Sequence, residues 1–189
     1  MTDPVSRTGR ATRRSFILYS GILLLCLLGC GVTKGEGEER PVEIQSVGVS
    51  TAQAKELSSQ VLDIIGLKGE LTDVPPGASR SEQEPERLYR ITHPWSLSGA
   101  PEADMERAMQ RLREQLPRHR WKVLEYGPGK SKAGYLELTA NSEKYKFSVN
   151  VMFKDARKPG AVEASLNKTS ALRVSLVSAY FRTPEGEHP

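Results

Sequence analysis

The residue types that most often do chemistry are sparse in this chain of 189 residues. Its two cysteines, Cys26 and Cys30, could suggest a redox pair or half a metal site. Both lie in or at the end of an apolar run with no His or Cys partner, which a zinc site would need. The three histidines, His93, His119 and His188, have no ligand-spaced His, Cys or carboxylate beside them. His93 falls on the apolar side of an alternating run and is expected as a packed, hydrogen-bonded core residue. His119 stands between Arg118 and Arg120, a poor setting for a bound cation, and His188 lies in the terminal tail. Gly127-Pro128-Gly129-Lys130-Ser131 has the flavour of a phosphate loop. However, Leu124 stands where the first glycine is required, and a strand-like run follows where a helix should. It reads as a hairpin turn. Ser165 and Lys168 match the spacing of penicillin-recognising enzymes without their other motifs. No Gly-x-Ser-x-Gly elbow occurs. The expectation is therefore no catalytic, cofactor-binding or metal-binding residue, and no cofactor.

The chemistry that the sequence does specify is an address. Arg10, Arg13 and Arg14 precede Phe16 to Gly29, fourteen almost wholly apolar residues. That is too short for a bilayer span of about 20 and suits a signal-peptide core of about 7–15. The run ends in Leu27-Leu28-Gly29-Cys30, which resembles a bacterial lipobox: Leu27, Gly29 and Cys30 match, and Leu28 is larger than usual. Cys26 follows the bulky Leu25 and fits no such cut. The resemblance implies cleavage between Gly29 and Cys30 and diacylglycerol on the Cys30 thiol. A second acylation on the freed amine would give the two-signal anchoring that a stable membrane attachment needs. Arg13-Arg14-Ser15-Phe16 also resembles a twin-arginine export signal, with Leu18 in place of a common Lys. An ordinary secretory n-region is the other reading, and the motif leans toward the twin-arginine one. An uncleaved single span over 16–32 is the minor alternative.

Composition sets bounds on the rest. The net charge of +4 and the pI of about 9.1 suggest a basic protein. Residues 1–29 hold four of the 27 basic and one of the 23 acidic residues, so the remainder carries only +1. That gives no electrostatic footprint for nucleic acid. The mature chain has no cysteine besides Cys30 and so no internal disulfide. Its stability must come from core burial.

The elements follow from periodicity. Residues 30–50, polar and Gly-rich, read as a lipidated cysteine and flexible tether. Thr51 can cap a helix over 52–65, and Gly66 can end it. Residues 68–87, with Pro75-Pro76 and an acidic stretch, read as an unusually long loop. Tyr89, Ile91, His93, Trp95 and Leu97 alternate as a strand. Pro94 puts that strand at an edge or a bend. Pro101 suits a first helical position, and Met105, Ala108, Met109, Leu112 and Leu116 form the stripe of a second helix stopped by Pro117. Strand signals follow at 121–126, 135–140, 145–154 and 171–181. The last shifts parity from Leu172, Val174 and Leu176 to Val177, Ala179 and Phe181, which implies a bulge or two-sided burial. The expected fold class is α+β: a mostly antiparallel sheet of about four to five strands with two helices packed on one face, over 51–183, and a disordered tail at 184–189.

Trp95-Ser96-Leu97, Asp104 to Met109, Leu112-Arg113, Leu116-Pro117, Trp121-Lys122-Val123 and Val177-Ser178-Ala179 together resemble small actinobacterial lipoproteins of uncharacterised function. The resemblance spans about half the chain. Relatives often carry a cysteine near the position of Tyr180, which this chain lacks. It implies a lipidated domain facing outside the cytoplasm and no site to carry over. Two function classes remain. One is a non-catalytic binding or interaction module, held to the cell membrane through lipid on Cys30, with an unidentified protein or small-molecule partner and aromatics such as Trp95, Trp121, Tyr126 and Tyr180 as candidate contacts. The other is an extracytoplasmic enzyme whose site is assembled from residues distant in sequence.

Overall fold

The computed structural model describes residues 41–158 and 169–189. Arg13, Arg14, Cys26, Gly29, Cys30, Ser165 and Lys168 lie outside them. The described residues belong to one compact unit, 40–189.

Helix α1 spans Val47–Ile65. The Ser46 side chain caps it by accepting from the Val49 N–H at 3.3 Å. Gly66 ends it in the left-handed conformation, φ 60°, with its N–H on the Leu62 carbonyl. The expected start near Thr51 is corrected by a full turn. Val47-Gly48-Val49 has weak helix propensity, which hid that turn. Tertiary contacts hold it instead: the Ser50 hydroxyl is buried between the Ser46 carbonyl, 3.2 Å, and the Tyr89 hydroxyl, 2.7 Å. The chain before it is also docked. Gln45 N–H donates to the Arg182 carbonyl, and Arg182 N–H donates to the Glu43 carbonyl, each at 2.9 Å. The tether expected to run to residue 50 therefore gives way to folded chain by Glu43.

Among the described residues the sheet has eight strands rather than four to five. Three are short pieces that sequence periodicity cannot register. The segment expected as a loop at 68–87 contains β1 (Glu70–Asp73) and β2 (Gly77–Arg80). Both pair antiparallel with β3 (Leu88–Ser98), one after the other along the same edge. Helix α2 covers Glu102–Gln115, followed by a 3-10 turn at Leu116–His119. Pro101 sits at the cap position just before it, and its carbonyl accepts from the Asp104 and Met105 N–H groups. Strands β4 (Lys122–Pro128), β5 (Leu136–Ser142), β6 (Phe147–Lys154) and β7 (Ala171–Ser178) complete an antiparallel order β1-β3-β7-β6-β5-β4. Strand β8 (Phe181–Arg182) pairs with the start of β3.

The parity shift in the last run is a bulge. β7 pairs Val177 with Thr92, and β8 pairs Phe181 with Tyr89. Arg90 and Ile91 thus face three residues, Ser178, Ala179 and Tyr180. The Ser178 hydroxyl takes the Ile91 N–H at 2.8 Å, replacing a ladder bond. β4 and β5 form the expected hairpin, but Gly127 and Pro128 belong to β4, paired with Glu137 and Leu136, and the connection runs over 129–135, closed by the Gly129 N–H on the Tyr135 carbonyl. Glu137 folds over Gly129 so closely that a Cβ there would lie 2.1 Å from its Oε1.

Both helices pack on the face made by the alternate residues Tyr89, Ile91, Trp95, Leu138, Val149, Val151, Leu172 and Leu176, all buried. Met105, Met109 and Leu112 of α2 and Leu57, Val61 and Ile65 of α1 close that core. The helices are also tied end to side: the Arg111 guanidinium donates to the Ile64 carbonyl at 3.4 Å and to the Ile65 carbonyl. A cation at these last carbonyls complements the helix dipole.

Candidate functional site

Two hollows of this domain meet at β3. β2 bridges its outer edge at Tyr89–Thr92 and β1 at Trp95–Ser98, so His93 and Pro94 lie between the two with no strand beside them there. Val74-Pro75-Pro76 links β1 to β2 across this break. Its prolines cannot donate to a ladder, and neither can Pro94. A break in the pairing is the physical outcome, and a hollow opens on each side of the sheet at that point.

On the helix side, a hollow of about 290 Å³ lies between α1 and the Pro75-Pro76 link. Ser58 and His93 meet beside it, Oγ to Nδ1 at 2.7 Å, with 5% and 4% of their surfaces exposed. His93 is thus the packed, hydrogen-bonded residue expected from its place in the strand. Trp95, 6% exposed, lines the same hollow, and its indole N–H has no hydrogen-bond partner among the described residues. A hydroxyl–imidazole contact is the core of a nucleophilic dyad. Acyl transfer also needs donors aimed at a developing oxyanion. Here the backbone N–H groups around Ser58 are committed to the interior of α1. The pair is better explained as satisfaction of a buried imidazole.

On the side of the sheet away from the two helices, a groove of about 410 Å³ runs beside the same break. Val74, Pro94 and Met152 are among its apolar contacts, and Ser96, Asn150, Ser175 and Arg173 among its polar ones. The register places these residues in rows. Pro94, Ser175, Asn150 and Thr139 lie side by side across four strands, and the next row holds Ser96, Arg173, Met152 and Glu137. On the other flank Thr92, Val177, Ser148 and Asn141 form a third. Serine and asparagine are poor strand formers, and a solvated sheet face is more often threonine or long charged side chains. A field of short hydroxyl and amide groups at the sheet centre leaves room above it and offers donors and acceptors. Asn150 Nδ2 is oriented by Thr139 Oγ1 at 3.1 Å.

The electrostatics of this face are lopsided. Arg173 forms no hydrogen bond or ion pair among the described residues and remains exposed. Lys154, diagonal to it on β6, is buried, and its ammonium is held below the usual lysine range by burial first and then by Arg173. Just past it, Asp155 accepts both from the Arg157 side chain, at 2.8 and 2.7 Å, and this pairing lowers its carboxyl.

A third hollow, about 600 Å³, lies at the sheet end between residues 41–43, the β5–β6 turn and the β7–β8 bulge. Its lysine, Lys146, pairs with Glu143 at 3.4 Å. Tyr180 stands exposed at its rim with the Arg90 guanidinium 5.6 Å from the ring centre. Of the other aromatics considered as contacts, Trp95 and Trp121 are core. Tyr126 is half-buried under Arg113, 4.9 Å away. Among the described residues no group of three or more His, Cys, Asp or Glu could hold a metal ion, and no helix is long and apolar enough to cross a membrane.

Sequence reasoning singled out His93 and the aromatics and missed Ser58, Asn150, Arg173 and Ser175. Ser58 and His93 are 35 residues apart, and nothing local connects them. The signal for the others was present: Ser148, Asn150 and Ser175 are the short polar half of otherwise regular alternations. Compared with known protein families, with curated proteins and with solved structures, this chain finds no match.

Proposed function

We propose that this protein is a lipid-anchored lipoprotein of the cell membrane, facing outside the cytoplasm, whose α+β domain is a non-catalytic binding module. In this reading Cys30 carries the lipid, Gly29–Cys30 is the cut, and Arg13-Arg14 belongs to the export signal. The binding surface is the face of the sheet away from the two helices, beside the β3 break. The observation that supports it most is the groove bounded by Val74, Pro94 and Met152, with Asn150, Ser175 and an Arg173 that meets no carboxylate among the described residues. Ligand sites are concave, largely apolar and furnished with a few placed polar groups, and this groove has that make-up. The resemblance to small actinobacterial lipoproteins agrees with the address.

Photo-crosslinking in intact cells tests this reading. A crosslinking residue at Ser175 should give adducts that one at Gln110, on the exposed side of α2, does not. Intact mass of the membrane-extracted protein should begin at Cys30 with added acyl mass. Equal adduct patterns at both positions, or a mature end elsewhere without acyl mass, would remove its two halves separately.

A second reading, an extracytoplasmic enzyme, has one observation in its favour, the Ser58–His93 contact. Covalent labelling of Ser58 by a fluorophosphonate, abolished in Ser58→Ala, would establish it.

A further inference from the structure

We propose that the groove beside the β3 break binds an oxyanion, a carboxylate or phosphate, carried on a compact apolar body. The inference rests on the binding-module reading and specifies its ligand.

The first argument is charge. Arg173 projects from β7 on the face away from the two helices and meets no carboxylate among the described residues. A guanidinium presents five donors in a planar fork that matches carboxylate and phosphate oxygens. An exposed guanidinium with no carboxylate beside it among the described residues favours an anion in the groove. The carboxylate in the same row, Glu137, is turned away over Gly129 in the β4–β5 turn. No aspartate or glutamate is among the described residues that line the groove.

The second argument is shape and polarity. Val74 and Pro94 form one apolar wall, and Met152 lies across from them. Methionine adapts to flat or irregular apolar partners better than a branched side chain would. Asn150 and Ser175 sit between, side by side in the register, as neutral groups able to hold the ligand's orientation. The groove is open and about 410 Å³, which suits a ring-sized body rather than a long chain. A cationic ligand would face Arg173, and a purely neutral one would leave Arg173 unused.

Methionine-methyl NMR on the full-length chain in a non-ionic detergent tests the proposal. Met152 reports the groove, while Met105 and Met109, fully buried under the helices, serve as internal controls. Benzoate and phenyl phosphate are the anionic probes, and benzamide and benzylamine their neutral and cationic counterparts. At least one anion should move the Met152 signal in a saturable way and leave Met105 and Met109 in place. The comparison of the two anions tells carboxylate from phosphate. Arg173→Gln should weaken that anion at least tenfold, and raising the salt concentration should weaken it further. Arg173 is exposed, so the variant is expected to fold, and unchanged Met105 and Met109 signals verify this. If benzamide binds as well as both anions, or if Arg173→Gln leaves anion binding intact, the oxyanion assignment is overturned while the binding reading stands. If no probe, and no member of a mixed fragment set, moves Met152, both fall together.

Discussion

The Trp95 indole N–H is a buried donor without a partner among the described residues, and such a group costs about 1–3 kcal/mol. Trp95→Phe removes that donor along with part of the ring's buried area, two effects of opposite sign. It should therefore change stability by less than about 1 kcal/mol, whereas Trp95→Ala, which empties the site, should cost about 3–5 kcal/mol. Chemical denaturation of the two variants checks the difference. A loss for Trp95→Phe close to that for Trp95→Ala would show that the indole N–H is satisfied after all. Tyr89 gives a second test. Its hydroxyl donates to the Gln45 carbonyl at 2.8 Å and shares a 2.7 Å bond with Ser50, joining the segment before α1 to the sheet. Burial, more than any other influence, raises its phenol above the usual 10.0. A raised folded-state value means the protonated form stabilises the fold. That contribution is complete below pH 10 and is lost as pH climbs beyond it. Thermal melts above pH 10 should fall more steeply for the natural protein than for Tyr89→Phe, and parallel curves would remove Tyr89 from the account. Residues of this kind were only half legible in the sequence. The burial of His93 followed from its place in the alternation, whereas its partner Ser58 lies on another element and no spacing could announce it.

Elements were legible in proportion to how much of their own stability they carry. α2 and β6 have regular apolar stripes and appeared within a few residues of their expected bounds. β1, β2 and β8 are two to four residues long and exist because β3 offers an edge to pair with. The first turn of α1 likewise depends on Ser46, Ser50 and Tyr89 rather than on propensity. The union of the helices is one contact with a measurable consequence. Arg111 of α2 reaches the last carbonyls of α1, and removing it leaves those acceptors to solvent and the dipole uncomplemented. Arg111→Ala should destabilise the domain by about 1–2 kcal/mol, since charge-assisted hydrogen bonds exceed neutral ones and partly buried dipole contacts reach that size. Arg111→Lys should recover only part, because a point charge replaces a two-pronged donor. Urea melts with an unchanged slope and a shifted midpoint would show this as a stability effect, and a wild-type midpoint for Arg111→Ala would refute it.

At the scale of the whole molecule, a single core joins both helices to the sheet within residues 40–189, and the proposed lipid address lies in residues before it. The two parts answer to different physics. The domain folds by burying apolar surface, with no disulfide available to it, while in the proposed reading retention at the membrane would depend on acyl chains carried by Cys30. A change at Cys30 should therefore alter where the protein is and leave what it is unaltered. Cys30→Ala removes the thiol that would accept diacylglycerol, and a lipoprotein peptidase then has no modified residue to cut beside. The variant should accumulate as a precursor with residues 1–29 still attached, or appear as unlipidated protein in the medium. Its folded domain should melt within about 1 °C of the natural one, because a substitution remote from the core adds nothing to the unfolding free energy. Fractionation, intact mass and a thermal melt of the same preparations make the comparison. Membrane retention with a processed end and unchanged mass in Cys30→Ala would overturn the anchor, and a markedly lowered melting temperature would show that the address and the domain are not independent.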